Sequence, residues 1–130
     1  MSGNADTVRL VQESLGRGDI MAPMAHLSKD VRWAVNTADR EAAPWFGKYR
    51  GRQGVVAFFE AMSVVTMNMF ETRAVIGDGD LVVVLLHMAF TSPKQREVEM
   101  DEVQVWQFHE GKVQSVELYP DTLAVAQAFA

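Results

Sequence analysis

Glu102 and Gln104 are the residues of this 130-residue chain whose types and spacing best suit chemistry. They lie two apart in the alternating stretch 98–108, so on a strand they share one face. With Trp106 and Phe108 taken as inward, Val98, Met100, Glu102 and Gln104 point inward with them. A carboxyl held among apolar groups has its pKa moved towards neutrality and can pass protons, and the nearby amide can hydrogen-bond a carbonyl or a developing oxyanion. Two other arrangements stay open. A bulge between Met100 and Val103 would turn Asp101, Val103 and Val105 inward and leave Glu102 in solvent, or Glu102 would pair with Arg73 across a sheet. On either of these, Glu97, Glu99, Asp101 and Glu102 form a charged strand surface.

Other reactive types are sparse. There is no cysteine, which excludes thiolate metal sites, disulfides and a thiol nucleophile. His26, His87 and His109 stand alone, without the H-x-H or H-E-x-x-H spacing of metal ligands, so no metal is expected. His87 alternates with Leu86 and Met88 and is expected on an outer sheet face, at a subunit interface. His26 is placed to cap helix carbonyls, His109 falls in a turn, and Asp78 and Asp80 lack the other ligands of a calcium loop. A net charge of −5 argues against a duplex nucleic-acid surface. No apolar run approaches membrane-spanning length, and no basic, apolar leader opens the chain, so a soluble cytoplasmic protein is expected.

The elements that must position Glu102 and Gln104 follow from periodicity. Residues 5–15 read as an amphipathic helix, with Val8, Val11 and Leu15 inward and Arg9, Gln12 and Glu13 on its polar face. Asp19 is placed to cap a second short helix bearing Ile20, Met24 and Leu27. Residues 31–35 alternate as a strand, residues 36–50 form a long loop carrying the exposed pair Trp45-Phe46, and residues 51–65 form a helix with Val55, Phe58, Phe59 and Met62 along one side. Four antiparallel strands follow at 67–76, 81–91, 98–108 and 112–119. Their tight turns are Gly77-Asp78-Gly79 and His109-Glu110-Gly111, and a helix at 121–129 closes the chain. Strand 81–86 is apolar on both faces, so neither is expected to meet water.

Three phrases, GDIMAPMAHLSKDVRW, PWFGKYRGRQGVVAFFEAM and DEVQVWQFHEGKVQSVELYPDT, resemble the SnoaL-like members of the nuclear-transport-factor-2-like superfamily. They are spread over the chain from residue 18 to residue 122. The resemblance implies a single α+β domain over residues 1–130: a cone-shaped, curved antiparallel sheet wrapped on three helices, enclosing an apolar pocket and pairing through its outer face as a homodimer. It also implies absences. Ketosteroid isomerases have a general-base aspartate where this chain has Val35, an oxyanion tyrosine at Val11 and a second aspartate near Gln104. The arginine and aspartate of limonene-epoxide-hydrolase-like members fall at Leu86 and Met88, and their last-strand acid falls at Leu118.

With both catalytic sets missing, Glu102 and Gln104 remain the catalytic candidates. Trp33, Val35, Trp45, Phe46, Phe58, Met62, Met88, Phe90, Trp106 and Leu118 are the candidate lining of a pocket for a small hydrophobic molecule. The expected chemistry is cofactor-free acid–base isomerisation, cyclisation or hydration. The competing reading is a non-catalytic binding or protein-interaction module, in which the Trp45-Phe46 loop serves as a lid or partner contact.

Overall fold

A computed structural model describes residues 3–130. Helix α1 (Gly3–Gly16) leads through a 3-10 turn (Ala22–His26) into strand β1 (Leu27–Val35). The short strand β2 (Lys48–Arg50) runs directly into α2 (Gly51–Met62), and β3 (Thr66–Asp78), β4 (Leu81–Thr91), β5 (Glu97–His109), β6 (Lys112–Tyr119) and α3 (Thr122–Phe129) complete the chain. One six-stranded, open and curved sheet carries all strands in the order β2-β1-β6-β5-β4-β3. The helices pack against it, α1 on β3, α2 on β1 and α3 on β5.

The local chemistry explains these boundaries. Asp19 accepts from the amides of Met21 and Ala22 at 3.1 Å each, but Pro23 follows at once and the segment closes as a 3-10 turn, not the α-helix expected from its spacing. Gly51, at φ +73°, makes the sharp passage from β2 into α2. Glu110 and Gly111 both take positive φ, as a two-residue turn matched to strand twist requires. Asp121 caps α3 by accepting from the Ala124 amide at 3.0 Å. Where α1 crosses β3, a Cβ on Gly77 would lie 3.0 Å from that of Ala5, so the close approach of the two elements depends on that glycine.

The sheet departs from the all-antiparallel expectation in one pair. β1 and β6 run parallel, with Trp33 beside Val116 and Val35 beside Leu118. The cause is connectivity: three successive reversals from β3 to β6 fix the direction of β6, while β1 reaches β3 only through α2. The long loop also differs from its expected form. Its last three residues pair with β1 as β2, and Trp45 and Phe46 are buried at 4% and 5% exposure. Trp45 packs edge-on against Phe90 and Phe129 at 5.8 and 5.4 Å between ring centroids. Burying two large aromatic rings outweighs the cost of ordering the loop, so this pair is part of the core and presents no exposed contact surface.

Alternation holds along β4 and β5. Val82, Val84, Leu86, Met88 and Phe90 are buried on one strand, and Val98, Met100, Glu102, Gln104, Trp106 and Phe108 on the other. The β4–β5 ladder runs without a register break from Leu81–Gln107 to Thr91–Glu97. The irregularities fall elsewhere, within β3, between Leu27 and Arg32 where β1 meets β6, and between Gln107 and Phe108 on the β6 side. In this single chain the outer side of β4 is uncovered at Leu81 and Leu85.

Candidate active site

Glu102 is 7% exposed and faces the concave side of the sheet, so neither the bulge nor the cross-sheet pairing describes it. Arg73 pairs instead with Glu71 at 2.9 Å and with Asp101 at 3.6 Å. Glu102 and Gln104 line a cavity of about 270 Å³ together with Trp33, Val35, Trp45, Phe58, Met62, Met88 and Leu118. Phe46, Phe90 and Trp106, also expected in the lining, lie in the surrounding core instead. The reason is depth: Phe90 and Trp106 are fully covered by neighbouring side chains, and facing inward does not by itself give access to open space. Gly18, Ser63 and Met67 are the exposed residues of the cavity lining.

Glu102 is the sole titratable side chain lining this cavity among the described residues. Burial pushes its carboxyl up to about 7, and a hydrogen bond from Gln104 offsets part of that rise. Both protonation states are therefore populated near neutrality, as a group that both takes and gives a proton requires.

A polar relay fixes which atom of Glu102 is available. The Trp106 indole N–H donates to Gln104 Oε1 at 3.0 Å, and an indole has only a donor to offer. The Gln104 amide is thereby oriented, with its Nε2 donating to Glu102 Oε2 at 2.8 Å. Gln12 Nε2 donates to the same Gln104 oxygen at 2.9 Å, and Thr72 Oγ1 donates to Gln12 Oε1 at 3.4 Å. Because Glu102 Oε2 is already an acceptor, the neutral acid carries its proton on Oε1. With its oxygen taken twice, Gln104 acts as a positioning residue for Glu102 and retains one N–H beyond that bond.

Gln12 is the functional residue that sequence reasoning missed. Assigned to the polar face of α1, it is 3% exposed and holds the far end of the relay. The signal was present: Val8, Val11, Gln12 and Leu15 stand at i, i+3, i+4 and i+7, which is one helix face. The Trp33 indole N–H is buried without a hydrogen-bond partner, an uncommon cost tolerated in this aromatic cluster.

The expected absences can be placed on this geometry. Val35, Met88 and Leu118 line the cavity, and Val11 and Leu86 are buried apolar residues, so among the positions of the two other catalytic sets only the one near Gln104 holds a polar group. His87 lies on the outer face, His26 ends the 3-10 turn, and His109 ends β5. Among the described residues no three His, Cys, Asp or Glu side chains converge as metal ligands, and no described helix is long and apolar enough to cross a membrane.

The family model of the SnoaL-like domain matches residues 8–116. The chain belongs to the SnoaL-like family. Among solved structures, this SnoaL-like domain resembles an NTF2-like protein of unknown function from Burkholderia pseudomallei K96243, at 26% identity and TM-score 0.88, covering 100% of this chain and 99% of that one. An NTF2-like protein from Burkholderia xenovorans LB400 aligns at 25% identity and TM-score 0.85, over 100% and 98% of the two chains. TerC, co-crystallised with polyporic acid, aligns at 24% identity and TM-score 0.86, over 98% of each. No curated protein matches the sequence.

Proposed function

We propose that this SnoaL-like domain binds a small hydrophobic metabolite in its cone and catalyses cofactor-free proton transfer on it, with Glu102 as the acid–base residue. The observation that carries this reading is the single carboxyl, held near neutrality, on the wall of a cavity whose other lining side chains, Gln104 and Ser63 apart, are apolar. The cavity exceeds the roughly 150 Å³ that accommodates a benzene ring, so the fitting class is a one- or two-ring molecule with one polar function. In the simplest reaction, on a ketone with a β,γ carbon–carbon double bond, Glu102 Oε1 removes a proton from the carbon between carbonyl and double bond, and the same atom returns it to the far carbon of that double bond, which moves into conjugation with the carbonyl. The remaining N–H of Gln104 can meet the carbonyl oxygen as charge develops there. Atoms balance without an added oxidant or reductant, and the net result is isomerisation. Cyclisation and hydration draw on the same transfer.

Deuterium uptake tests the proposal. A panel of cyclic ketones incubated with the protein in heavy water should show exchange at carbon beside the carbonyl, followed by NMR. The Glu102→Gln variant should bind the same ketones and lose at least about a hundredfold in exchange rate. Full turnover by that variant on any substrate so identified would remove the role, and ligand binding without exchange across the panel would favour a storage or sensing module.

The proposal includes pairing of two copies through the outer sheet face. Leu85 and Val103, adjacent across β4 and β5, are exposed there, with Met69, Ile76 and Tyr119 also exposed. Sedimentation should show a dimer that Leu85→Glu dissociates, and a wild-type monomer at micromolar concentration would refute it.

A further inference from the structure

On the side of the β1–β6 pair away from the cone, a groove of about 670 Å³ gathers four cationic residues, Arg32, Arg40, Lys48 and Arg50. All four are exposed. Most of the chain's twelve Lys and Arg side chains are engaged elsewhere. Arg9, Arg17, Arg52, Arg73, Lys94, Arg96 and Lys112 each donate at least one hydrogen bond. Five make neither a hydrogen bond nor an ion pair to a described residue: Lys29 and the four in the groove. A chain of net charge −5 thus gathers four of its five unengaged cations in one place, where Glu117 is the sole carboxylate of the described lining. That carboxylate already accepts from the Tyr119 hydroxyl at 2.8 Å.

Register sharpens the point. Arg32 on β1 stands directly opposite Arg50 on β2, and Lys48 lies opposite Ala34. Like charges directly opposed across two strands repel and destabilise the pair unless something of opposite sign lies between them. Cations on an edge strand can serve to block sheet extension, which would account for Lys48 and Arg50. It does not account for Arg32, on a strand flanked by β2 and β6. The groove also has a polar floor. Ser115, beside Arg32 on β6, is only 8% exposed, and its hydroxyl has no partner among the described residues.

We infer that this groove is an anion site for a small organic phosphate, separate from the cone cavity on the opposite side of β1. Arg32 and Arg50 grip phosphate oxygens from two sides in the forked geometry that guanidinium offers, Lys48 and Arg40 add charge, and the Ser115 hydroxyl donates from below. A phosphomonoester fits better than a nucleic acid, because the cations occupy one short groove while the chain as a whole repels a polyanion. The site does not depend on the acid–base reading of Glu102, so the two stand or fall separately.

The test is calorimetric titration of the intact chain with pyrophosphate and with phenyl phosphate at low ionic strength, with amide shifts followed by NMR. One saturable site is expected, with shifts concentrated in β1, β2, β6 and the loop that carries Arg40. Arg32→Gln combined with Arg50→Gln should weaken it at least about tenfold, and Lys29→Gln should leave it unchanged. Without ligand the double variant should melt no lower than wild type, since an opposed like-charge pair has been removed. If the double variant fails to fold, Lys48→Gln, expected to weaken binding several-fold, takes its place. Absence of saturable binding at millimolar ligand, equal binding by the variants, or tight binding of single-stranded DNA without binding of either phosphate would overturn the proposal.

Discussion

Asp101 and Glu102 are neighbours in sequence with opposite fates. Asp101 points outward, its side chain 76% exposed, and its carboxyl is held below the ordinary carboxylate range by a hydrogen bond from His87. Glu102 points inward and is pushed up to about 7 by burial. One step along a strand exchanges solvent and a cation for an apolar wall. The pleat therefore makes a surface charge of one residue and a candidate acid–base group of the next, with no change in side-chain chemistry.

The outer cluster has its own logic. His87 Nδ1 and Nε2 each lie 2.8 Å from a carboxylate oxygen, of Asp101 and Glu99 respectively. Only the doubly protonated ring can donate to both. Hydrogen bonds to Asp101 and then Glu99 raise the His87 pKa, while desolvation and Arg73 oppose them.

The contrast between these two faces can be broken in four ways. The largest effect should come from Gln104→Leu. It strands the Trp106 and Gln12 donors and removes the partner of Glu102, and chemical denaturation should register a loss of about 3 to 5 kcal/mol. A loss below about 1 kcal/mol would mean that the relay holds nothing in place.

Next is the pH dependence due to Glu102. Its folded pKa lies above its ordinary 4.5, so the folded state binds the extra proton and stability falls as pH rises between 4.5 and about 7. That interval corresponds to about 3 kcal/mol. Glu102→Gln should remove this slope and be the more stable protein at pH 8. Parallel profiles for the two proteins would show that the carboxyl is solvated.

Gln12→Leu should have a smaller effect, lowering stability by about 1 to 2 kcal/mol and shifting the pH midpoint of any Glu102-dependent exchange. An unchanged midpoint would leave Gln12 a purely structural residue.

The smallest effect belongs to the outer face. The His87 contribution is present below its ordinary pKa of 6.5 and fades as pH rises through the raised value. By NMR titration, Asp101→Asn should lower the His87 pKa while the pH midpoint of Glu102 stays where it was. Movement of both together would show that the two faces are coupled.

Much of this arrangement was legible in the sequence. Strict alternation from Val98 to Phe108 placed Glu102 and Gln104 inward, because an uninterrupted ladder preserves the period of two. The helices and the four-strand meander followed from apolar spacing and turn residues, and the SnoaL-like phrases pointed to the cone. What could not be read lies where distant segments meet. Gln12 and Gln104 are ninety-two residues apart, and only the packing of α1 on the open sheet turns a polar helix residue into the anchor of a buried relay.

The same holds for Trp45, which packs on Phe90 and on Phe129 of the closing helix, and for the parallel β1–β6 pair, which depends on how the chain returns through α2. Local chemistry and periodicity determined the elements and the face of each strand, since those depend on neighbours a few residues away. The tertiary structure decided the state of the Glu102 carboxyl, the free oxygen it presents and the gathering of Arg32, Arg40, Lys48 and Arg50. Desolvation and charge density are sums over everything nearby in space, and nearness in space is not written in sequence order.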